Sequence, residues 1–495
     1  MGVRELALMV GLLEAGFALW AAGVSWGEKE GVATRRMFLL GAGLLLAALG
    51  AGLLPGWGGL VLSWGILSMA GVGIFFLLPL PGGSPPEMGT PLPGVDERDI
   101  MFSRAVLEPG TERFEAYYKA HPGFRTKDDL FRLEPGLLAP GSSQFHQQGF
   151  AAADAAFWAI EMLRPFVDGP VGERGGAGLK GSGDGGHRNG VIEAEEGGGG
   201  GRTAEDPVDP HALTRFLKGW TLKMGAHSVG VTELKAHHLY THVGRGEGYG
   251  ERVALDHPFA VALTVEMDKE MVDTAPRSPT AMESARQYLF GGVMAIQLAD
   301  LIRRLGYRAR AHVDGNYRVI CPLVAKDAGL GELGRMGLLM TPGLGPRVRI
   351  AVVTTDLPLI PDPTFHDPTT LDFCLQCRKC ADSCPSRALP FGDPEEDSSG
   401  VRRWKIDAEA CFTLWSKLGT DCARCMAVCP YSHPDNPLHD GIRWGIRNNA
   451  IFRKGAVWMD DLFYGRRPQP RRLPEWMAGI EAPISGSRSG SGGDM

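Results

Sequence analysis

Three long apolar runs open the chain, at residues 6–24, 37–54 and 60–80. Each is close to the roughly 20 residues that a helix needs to cross a bilayer core. The pattern predicts a membrane anchor over residues 1–82 with about three transmembrane helices. Glu14 interrupts the first run. A carboxylate at that depth must face other helices or a polar path, and a neutral contact inside the bundle is preferred over a proton- or quinol-linked role. Lys29, Arg35 and Arg36 lie between the first two runs, whereas the connection 55–59 carries no charge. The positive-inside rule puts the first connection in the cytoplasm. Three crossings then leave the bulk of the chain on the cytoplasmic side of a multi-pass membrane protein. Thr34-Arg35-Arg36-Met37-Phe38-Leu39 competes with that reading, because it resembles a twin-arginine export signal that would place the bulk on the outer face.

The patterning changes after the anchor. Residues 81–93 are rich in Pro and Gly and read as a linker, and 83–166 read as the N-terminal part of the catalytic region, globular over 100–166 and including Phe114, Tyr117, Tyr118, Phe131, Phe157 and Trp158. Residues 167–206 are a Gly-rich low-complexity insertion that lacks the apolar surface to fold alone. Periodicity returns over 207–365. Residues 259–267 (FAVALTVEM) and 348–357 (VRIAVVTTDL) read as buried strands, and 284–305 as an amphipathic helix with Arg303 and Arg304 in its last turn. Strand, helix and strand in this order predict an α/β (α+β) domain. A cysteine-rich unit over 366–440 and a C-terminal segment over 441–495, with a disordered tail from Ser485, complete the chain.

The chain has 495 residues, 44% hydrophobic and 22% charged, which excludes both whole-chain disorder and a bundle lying entirely in the membrane. A net charge of −6 gives no general footprint for nucleic acid, and no nucleic-acid partner is expected. Membrane lipid is the expected surroundings of the anchor.

The cysteines carry the sharpest chemistry. Of nine, eight fall between Cys374 and Cys429. Cys374, Cys377, Cys380, Cys384 and Pro385 spell C-x2-C-x2-C-x3-C-P, and Cys411, Cys422, Cys425, Cys429 and Pro430 spell C-x10-C-x2-C-x3-C-P. Three thiolates on one tight loop grip three corners of a cubane, and the fourth of each run reaches the other cluster. The spacing therefore assigns Cys374, Cys377, Cys380 and Cys429 to one [4Fe–4S] cluster and Cys384, Cys411, Cys422 and Cys425 to a second. Zinc is the alternative, but zinc sites pair two C-x2-C knuckles and this run is not one of those. Cys321 reads as a small core residue.

Two weaker signals remain. Gly329-Leu330-Gly331-Glu332-Leu333-Gly334 matches GxGxxG, with Asp356 downstream as a nucleotide-binding unit requires. Pro322 in the preceding segment disfavours the strand that such a unit needs, so a turn bringing backbone close to another ligand is expected. Asp209-Pro210-His211 begins like a cobalt-ligand D-x-H-x-x-G element but has Thr214 in place of the glycine. It reads as a turn before a helix, and His211 is given no ligand role.

KGWTLKMGAHSVGVTEL (218–234), QYLFGGVMAIQLADLIRRLGY (287–307) and PLVAKDAGLGELGRMGLLMTPGLGPRVRI (322–350), followed by the two cysteine motifs, resemble the respiratory reductive dehalogenases. The likeness covers roughly residues 95–450, in a superfamily shared with the epoxyqueuosine reductases. It implies base-off cobalamin in a nitroreductase-like α/β domain, beside a two-cluster ferredoxin-like domain. It further implies Tyr288 as proton donor, Arg347 in GPRVR as its support near the substrate, and Gly329, Gly331 and Gly334 as a turn on the corrinoid side. At the third catalytic position many dehalogenases have Asn, and here the register gives Asp314, as in the epoxyqueuosine reductases. The implied reaction cleaves a carbon–halogen bond of a small organohalide. Electrons come from a low-potential donor (a quinol, ferredoxin or flavodoxin) and pass through the clusters. The competing functions are an epoxyqueuosine-type reductase acting on a non-halogenated substrate and a membrane electron-transfer subunit without a terminal site.

Overall fold

The computed structural model describes residues 2–82, 89, 94–169, 209–364, 366–396 and 402–477. Most of the Gly-rich insertion, most of the linker and the C-terminal tail lie outside the described residues.

The apolar runs form α1 (Val3–Gly27), α2 (Gly31–Leu53) and α3 (Gly56–Leu77), each long and apolar enough to cross a membrane. Small residues set their packing. Ala7, Ala48 and Ala51 are buried between the helices, and a side chain at Gly11 would meet Ala48 Cβ at 2.8 Å. Such seams let helices approach closely where hydrophobic burial provides no drive. Leu13, Phe17, Leu46, Trp57 and Trp64 point outward.

The connection between α1 and α2 and the end of α3 lie together against the rest of the chain. Asn436 Nδ2 donates to Glu28 at 2.7 Å, Lys29 pairs with Glu270 at 2.8 Å, and Arg471 pairs with Glu30. At the other contact the Asn449 side chain donates to Phe75 O (3.2 Å) and Leu78 O (2.9 Å), supplying carbonyls that the end of α3 leaves open. Leu80 N donates to Asn448 O, and Ala450 N to Leu80 O.

The central sheet has the order β1-β2-β6-β3, formed by Ser228–Glu233 (β1), Phe259–Glu266 (β2), Ala309–His312 (β3) and Val348–Thr355 (β6). All adjacent pairs are antiparallel. The long helix α4 (Ser278–Arg304) connects β2 to β3, which run parallel on either side of β6, so the strand–helix–strand pattern is a split crossover. One face of the sheet packs on α4 through Val261, Leu263, Val353, Met294, Leu298 and Ile302. The predicted strands are present within two residues at each end. The helix starts six residues earlier than expected because Ser278, Pro279 and Thr280 extend it while remaining buried.

Between β3 and β6 the GxGxxG segment is not a strand–turn–helix unit. Helix Cys321–Asp327 precedes it, and Glu332–Leu333 (β4) pairs with Leu339–Met340 (β5) in a small hairpin. That geometry removes the nicotinamide reading. Asp209 accepts from His211 N and starts the helix Pro210–Lys223, the turn-before-helix role expected.

The cysteine unit is a pair of short helical loops around the two motifs, packed beside the hairpin. It continues without a break into α5 (Pro437–Asn448) and α6 (Ala450–Tyr464), so the domain boundary expected at 440 falls inside a helix.

Candidate active site

Helix Pro368–Cys377 carries Cys374 and Cys377, and Arg378 in the left-handed region (φ 53°) turns the chain so that Cys380 faces the same space. Ala423 (φ 47°) repeats the turn between Cys422 and Cys425. All nine cysteines are unpaired. Cys429 lies within electrostatic reach of Cys374, Cys377 and Cys380, while Cys422 is within reach of Cys411 and Cys384. Cys425 reaches Cys422, Cys411 and Cys384, and also Cys380 of the other set. Cys429 thus neighbours the first run, Cys384 neighbours Cys411, Cys422 and Cys425, and the two groups adjoin each other. Burial first, and neighbouring thiols and carboxylates after it, push these thiols up, with Cys380 and Cys422 raised to about 12 and Cys411 to about 11, so a cation is needed to hold them as thiolates.

Two buried arginines fit an anionic occupant. Arg335 is fully buried and donates only to the carbonyls of Cys374, Pro390 and Gly392. Arg424 donates only to those of Ala275 and Pro468. Neither makes a salt bridge with a carboxylate among the described residues. Asp393 and Asp273 act on them without a direct ion pair, and a thiolate-bound iron–sulfur cluster beside each would add a nearer counter-charge. Gly334 belongs here as well, since a side chain on it would sit 3.7 Å from Cys374 Sγ. A side chain on Gly331 would strike Met340 O at 2.3 Å, so these two glycines pack the hairpin against the first cysteine set. Gly329 ends the preceding helix with φ 80°.

A second convergence lies deeper. Tyr288 on α4, Arg349 on β6, Asp314 in the turn after β3, and Tyr317, Cys321 and Arg245 interact electrostatically with one another well inside the protein. Tyr288, Asp314, Tyr317, Arg245 and Arg349 nevertheless keep accessible surface, as groups lining an internal space do. Among the described residues the Tyr288 and Tyr317 hydroxyls and the Asp314 carboxylate have no hydrogen-bond partner. Unpaired within the protein and partly accessible, these groups are free to bond water or a ligand.

The Arg349 guanidinium stands 4.9 Å from the centre of the Tyr288 ring. It donates to Ser284 Oγ at 2.6 Å and Asp421 Oδ2 at 3.1 Å. Burial pushes the Tyr288 phenol up, the Arg349 charge draws it back, and Asp314 and Asp421 oppose that pull; the net direction is upward. Arg245 is held by Glu97 at 3.1 Å and adjoins Asp314.

Arg347 was expected to support Tyr288, and the structure places it elsewhere. It is buried and donates to Ser432 O (3.2 Å), Glu266 Oε1 (2.7 Å) and Met267 O, tying the start of β6 to the cysteine unit. The arginine beside Tyr288 is Arg349, two residues on. In the sequence, its position inside the strand VRIAVV rather than in the loop before it was the available signal. Tyr317, Arg245 and Asp421 had no comparable signal. Cys321 is buried in the core, as expected, at the edge of this space.

Asp421 precedes Cys422 and bonds Arg349, so the second cysteine set adjoins the Tyr288 site. The first set adjoins the anchor side. Lys379, between Cys377 and Cys380, is buried against Asp460, which His433 also contacts at 3.0 Å. The His433 ring stacks 4.6 Å from His439, which pairs with Glu28 at 3.1 Å.

His237, His238 and Asp327 also cluster with metal-like spacing. Lys235 N donates to His238 Nδ1 at 3.0 Å, leaving the proton on Nε2 to face Asp327 at 3.1 Å, and Lys235 Nζ occupies the same carboxylate oxygen at 3.0 Å. This is a saturated ion-pair group and not a ligand set.

The 4Fe-4S dicluster domain family matches residues 373–433. A tetrachloroethene reductive dehalogenase of Sulfurospirillum multivorans is 31% identical over 301 residues, covering 54% of this chain and 60% of that one. A solved reductive dehalogenase, described with a mechanism for B12-dependent dehalogenation, matches with a TM-score of 0.53 and 27% identity over 69% of this chain and 46% of its own. An epoxyqueuosine reductase of Pseudomonas aeruginosa is 22% identical over 309 residues, 52% of this chain and 80% of that enzyme. The chain is thus similar to reductive dehalogenases in sequence and in fold, as its motifs imply. It spans 60% or less of the lengths of the dehalogenases it matches.

Proposed function

We propose that the protein is a membrane-anchored, corrinoid-dependent reductive dehalogenase that takes electrons through two [4Fe–4S] clusters to a small organohalide. The observation that carries this reading is the Arg349 guanidinium standing 4.9 Å from the Tyr288 ring centre, among polar groups with no protein hydrogen-bond partner among the described residues, and joined through Asp421 to the second cysteine set. The eight cysteines would hold the clusters that supply single electrons, and a corrinoid bound near Tyr288 in a nitroreductase-like domain would supply the reductant for the carbon–halogen bond.

The chain's own residues account for the proton. Tyr288, raised by burial, keeps its proton at neutral pH and gives it to the far more basic carbon centre left when halide departs. The phenolate that results faces the Arg349 guanidinium, which Ser284 and Asp421 hold in place. Asp314 and Arg245 line the same space and orient the substrate. The order of the cysteine sets gives electrons a direction: they enter at Cys374, Cys377, Cys380 and Cys429 on the anchor side, and leave from Cys384, Cys411, Cys422 and Cys425 toward Tyr288. The positive-inside rule places this machinery on the cytoplasmic face.

Asp314 supports a second reading, an epoxide-reducing enzyme, because an acid at this position faces Tyr288. One experiment separates the two. The full chain is purified anaerobically in lipid nanodiscs, loaded with iron, sulfide and a corrinoid, and given a low-potential chemical reductant with chlorinated and brominated alkenes and phenols. Halide release that depends on corrinoid is expected. Cluster signals without halide release across the panel, together with turnover of an epoxide, would overturn the dehalogenase reading. Protease accessibility in sealed, oriented vesicles tests the sidedness.

A further inference from the structure

We infer that α5 and α6 form a second membrane contact, a helical hairpin lying in the headgroup layer with its outer face in lipid, in addition to the three spans. The inference rests on the reading that α1–α3 cross a bilayer.

The ends of the two helices fix their direction. The start of α5 is tied to the end of α1, through Asn436 and His439 on Glu28. The junction of α5 and α6 is tied to the end of α3, through Asn449 on Phe75 O and Leu78 O. The end of α6 returns to α1, since Tyr464 lies against His433 and reaches Ser25 and Glu28. The ends of α1 and α3 are on the same side of the span bundle. A helix running from one to the other therefore lies across the mouth of the bundle, close to parallel with the membrane plane. Fifteen residues of α6 reach about 22 Å.

The faces of the helices agree. The inward side of α6 is Arg453, Ala456 and Asp460, all buried against the cysteine unit. The outward side is Ile451, Lys454, Trp458 and Leu462, one stripe at helical spacing. Ile451 is 51% exposed and Trp458 66%. On α5 the outward side is Asp440, Trp444 and Arg447. The cysteine unit lies on one side of the pair, Phe452 and Tyr464 meet the span ends, and the stripe opposite the cysteine unit is left exposed beside them. Tryptophans with flanking Lys and Arg suit the headgroup boundary, where the indole is half wet and the cations meet lipid phosphates. Trp26, exposed at the end of α1, stands at the same level.

The occupant of this face is phospholipid, and the test uses the full chain in nanodiscs that contain a phosphatidylcholine with a photoactivatable diazirine. With the diazirine near the glycerol end of the acyl chain, illumination should give lipid adducts on peptides covering 444–462 as well as at the span ends. With the diazirine at the terminal methyl, adducts should concentrate in the middle of α1–α3 and leave 444–462. As a second readout, lipid brominated high on the chain should quench tryptophan fluorescence more in the parent protein than in Trp458→Phe. Adducts in the spans but none in 444–462 with the shallow probe, together with equal quenching, would overturn the inference while leaving the spans in place. Cross-links between copies through Trp444 or Trp458 in place of lipid adducts would overturn it in favour of a dimer. Absence of adducts from the spans as well would overturn the membrane reading and this inference together.

Discussion

Replacing Arg349 with Met tests the proton-donor chemistry most directly. The guanidinium is 4.9 Å from the Tyr288 ring centre. At an effective dielectric of about 20, a full unit charge pair at that distance interacts by about 3.4 kcal/mol. Asp421 at 3.1 Å from the same guanidinium cancels part of this, and the transition state bears only part of the phenolate charge. About 1–2 kcal/mol of transition-state stabilisation then remains, a loss of roughly 5- to 30-fold in turnover. The sign for pH is also fixed. Removing a cation raises the Tyr288 pKa, so the alkaline limb of the rate profile, where the phenol must still hold its proton, moves to higher pH while the plateau drops. The assay is anaerobic halide release across pH, with cluster spectra to confirm that both clusters are present. Arg347→Met is the control. It strands the carbonyls of Ser432 and Met267, each worth about 1–3 kcal/mol when buried and unpaired, and should lower the unfolding midpoint without moving the alkaline limb. Unchanged turnover and limb in Arg349→Met, or an equal displacement of the limb in Arg347→Met, would refute the assignment.

Cys374→Ser and Cys422→Ser should each abolish one set of cluster signals and remove about half the iron, while Cys321→Ala leaves iron content unchanged; metal analysis with electron paramagnetic resonance reads all three. Arg335→Met should move the midpoint potential of one cluster negative by tens of millivolts, on a scale where 59 mV is tenfold for one electron, and leave the other in place in a spectroscopic redox titration. Asp327 gives an acid signature. Burial pushes its carboxyl up, but hydrogen bonds from His238 and Lys235 outweigh that and hold it below the ordinary range. A depressed folded pKa contributes stability that is present above the unfolded value near about 3.9 and is lost as pH falls through the folded one. Unfolding midpoints should therefore drop as pH falls from about 4, and drop less in Asp327→Asn.

What the sequence disclosed follows the range of the forces involved. The three apolar helices and the strands at 259–267 and 348–357 are local patterns, fixed by hydropathy and by runs of buried apolar residues, and each is found where expected. The helix start at Ser278 was hidden because polar residues there are buried by tertiary contacts, which no local period records. GxGxxG proved to be close packing of a hairpin against Cys374, because a glycine is needed wherever backbone approaches an obstacle, whatever the ligand. The polar space around Tyr288 was half legible. Tyr288 and Asp314 came from motif register, whereas Arg349 was missed by one strand repeat, since both arginines of GPRVR lie near the β6 start and only pairing with β2 and β3 decides which meets α4.

The arrangement of charge bears on why the anchor sits where it does. Among the described residues, the α1–α2 connection touches the cysteine unit and its helical extension, at Asn436, His439 and Arg471, and pairs with the sheet domain through the Glu270 and Lys269 segment after β2. It thereby fixes the first cysteine set against the membrane face. The second set is bound to the Tyr288 space by Asp421, and Cys425 with Cys380 closes the distance between the sets. Each set has one buried arginine bonded only to carbonyls, Arg335 for the first and Arg424 for the second, so neither is singled out by a missing counter-charge. Direction must then come from position. On the proposed reading, an electron arriving from the membrane side would meet the first set before the second, with the proton on Tyr288 beside the second set. Moving the anchor to the sheet domain would then separate the donor side from the first set, so its docking on the cysteine unit would favour one direction of transfer.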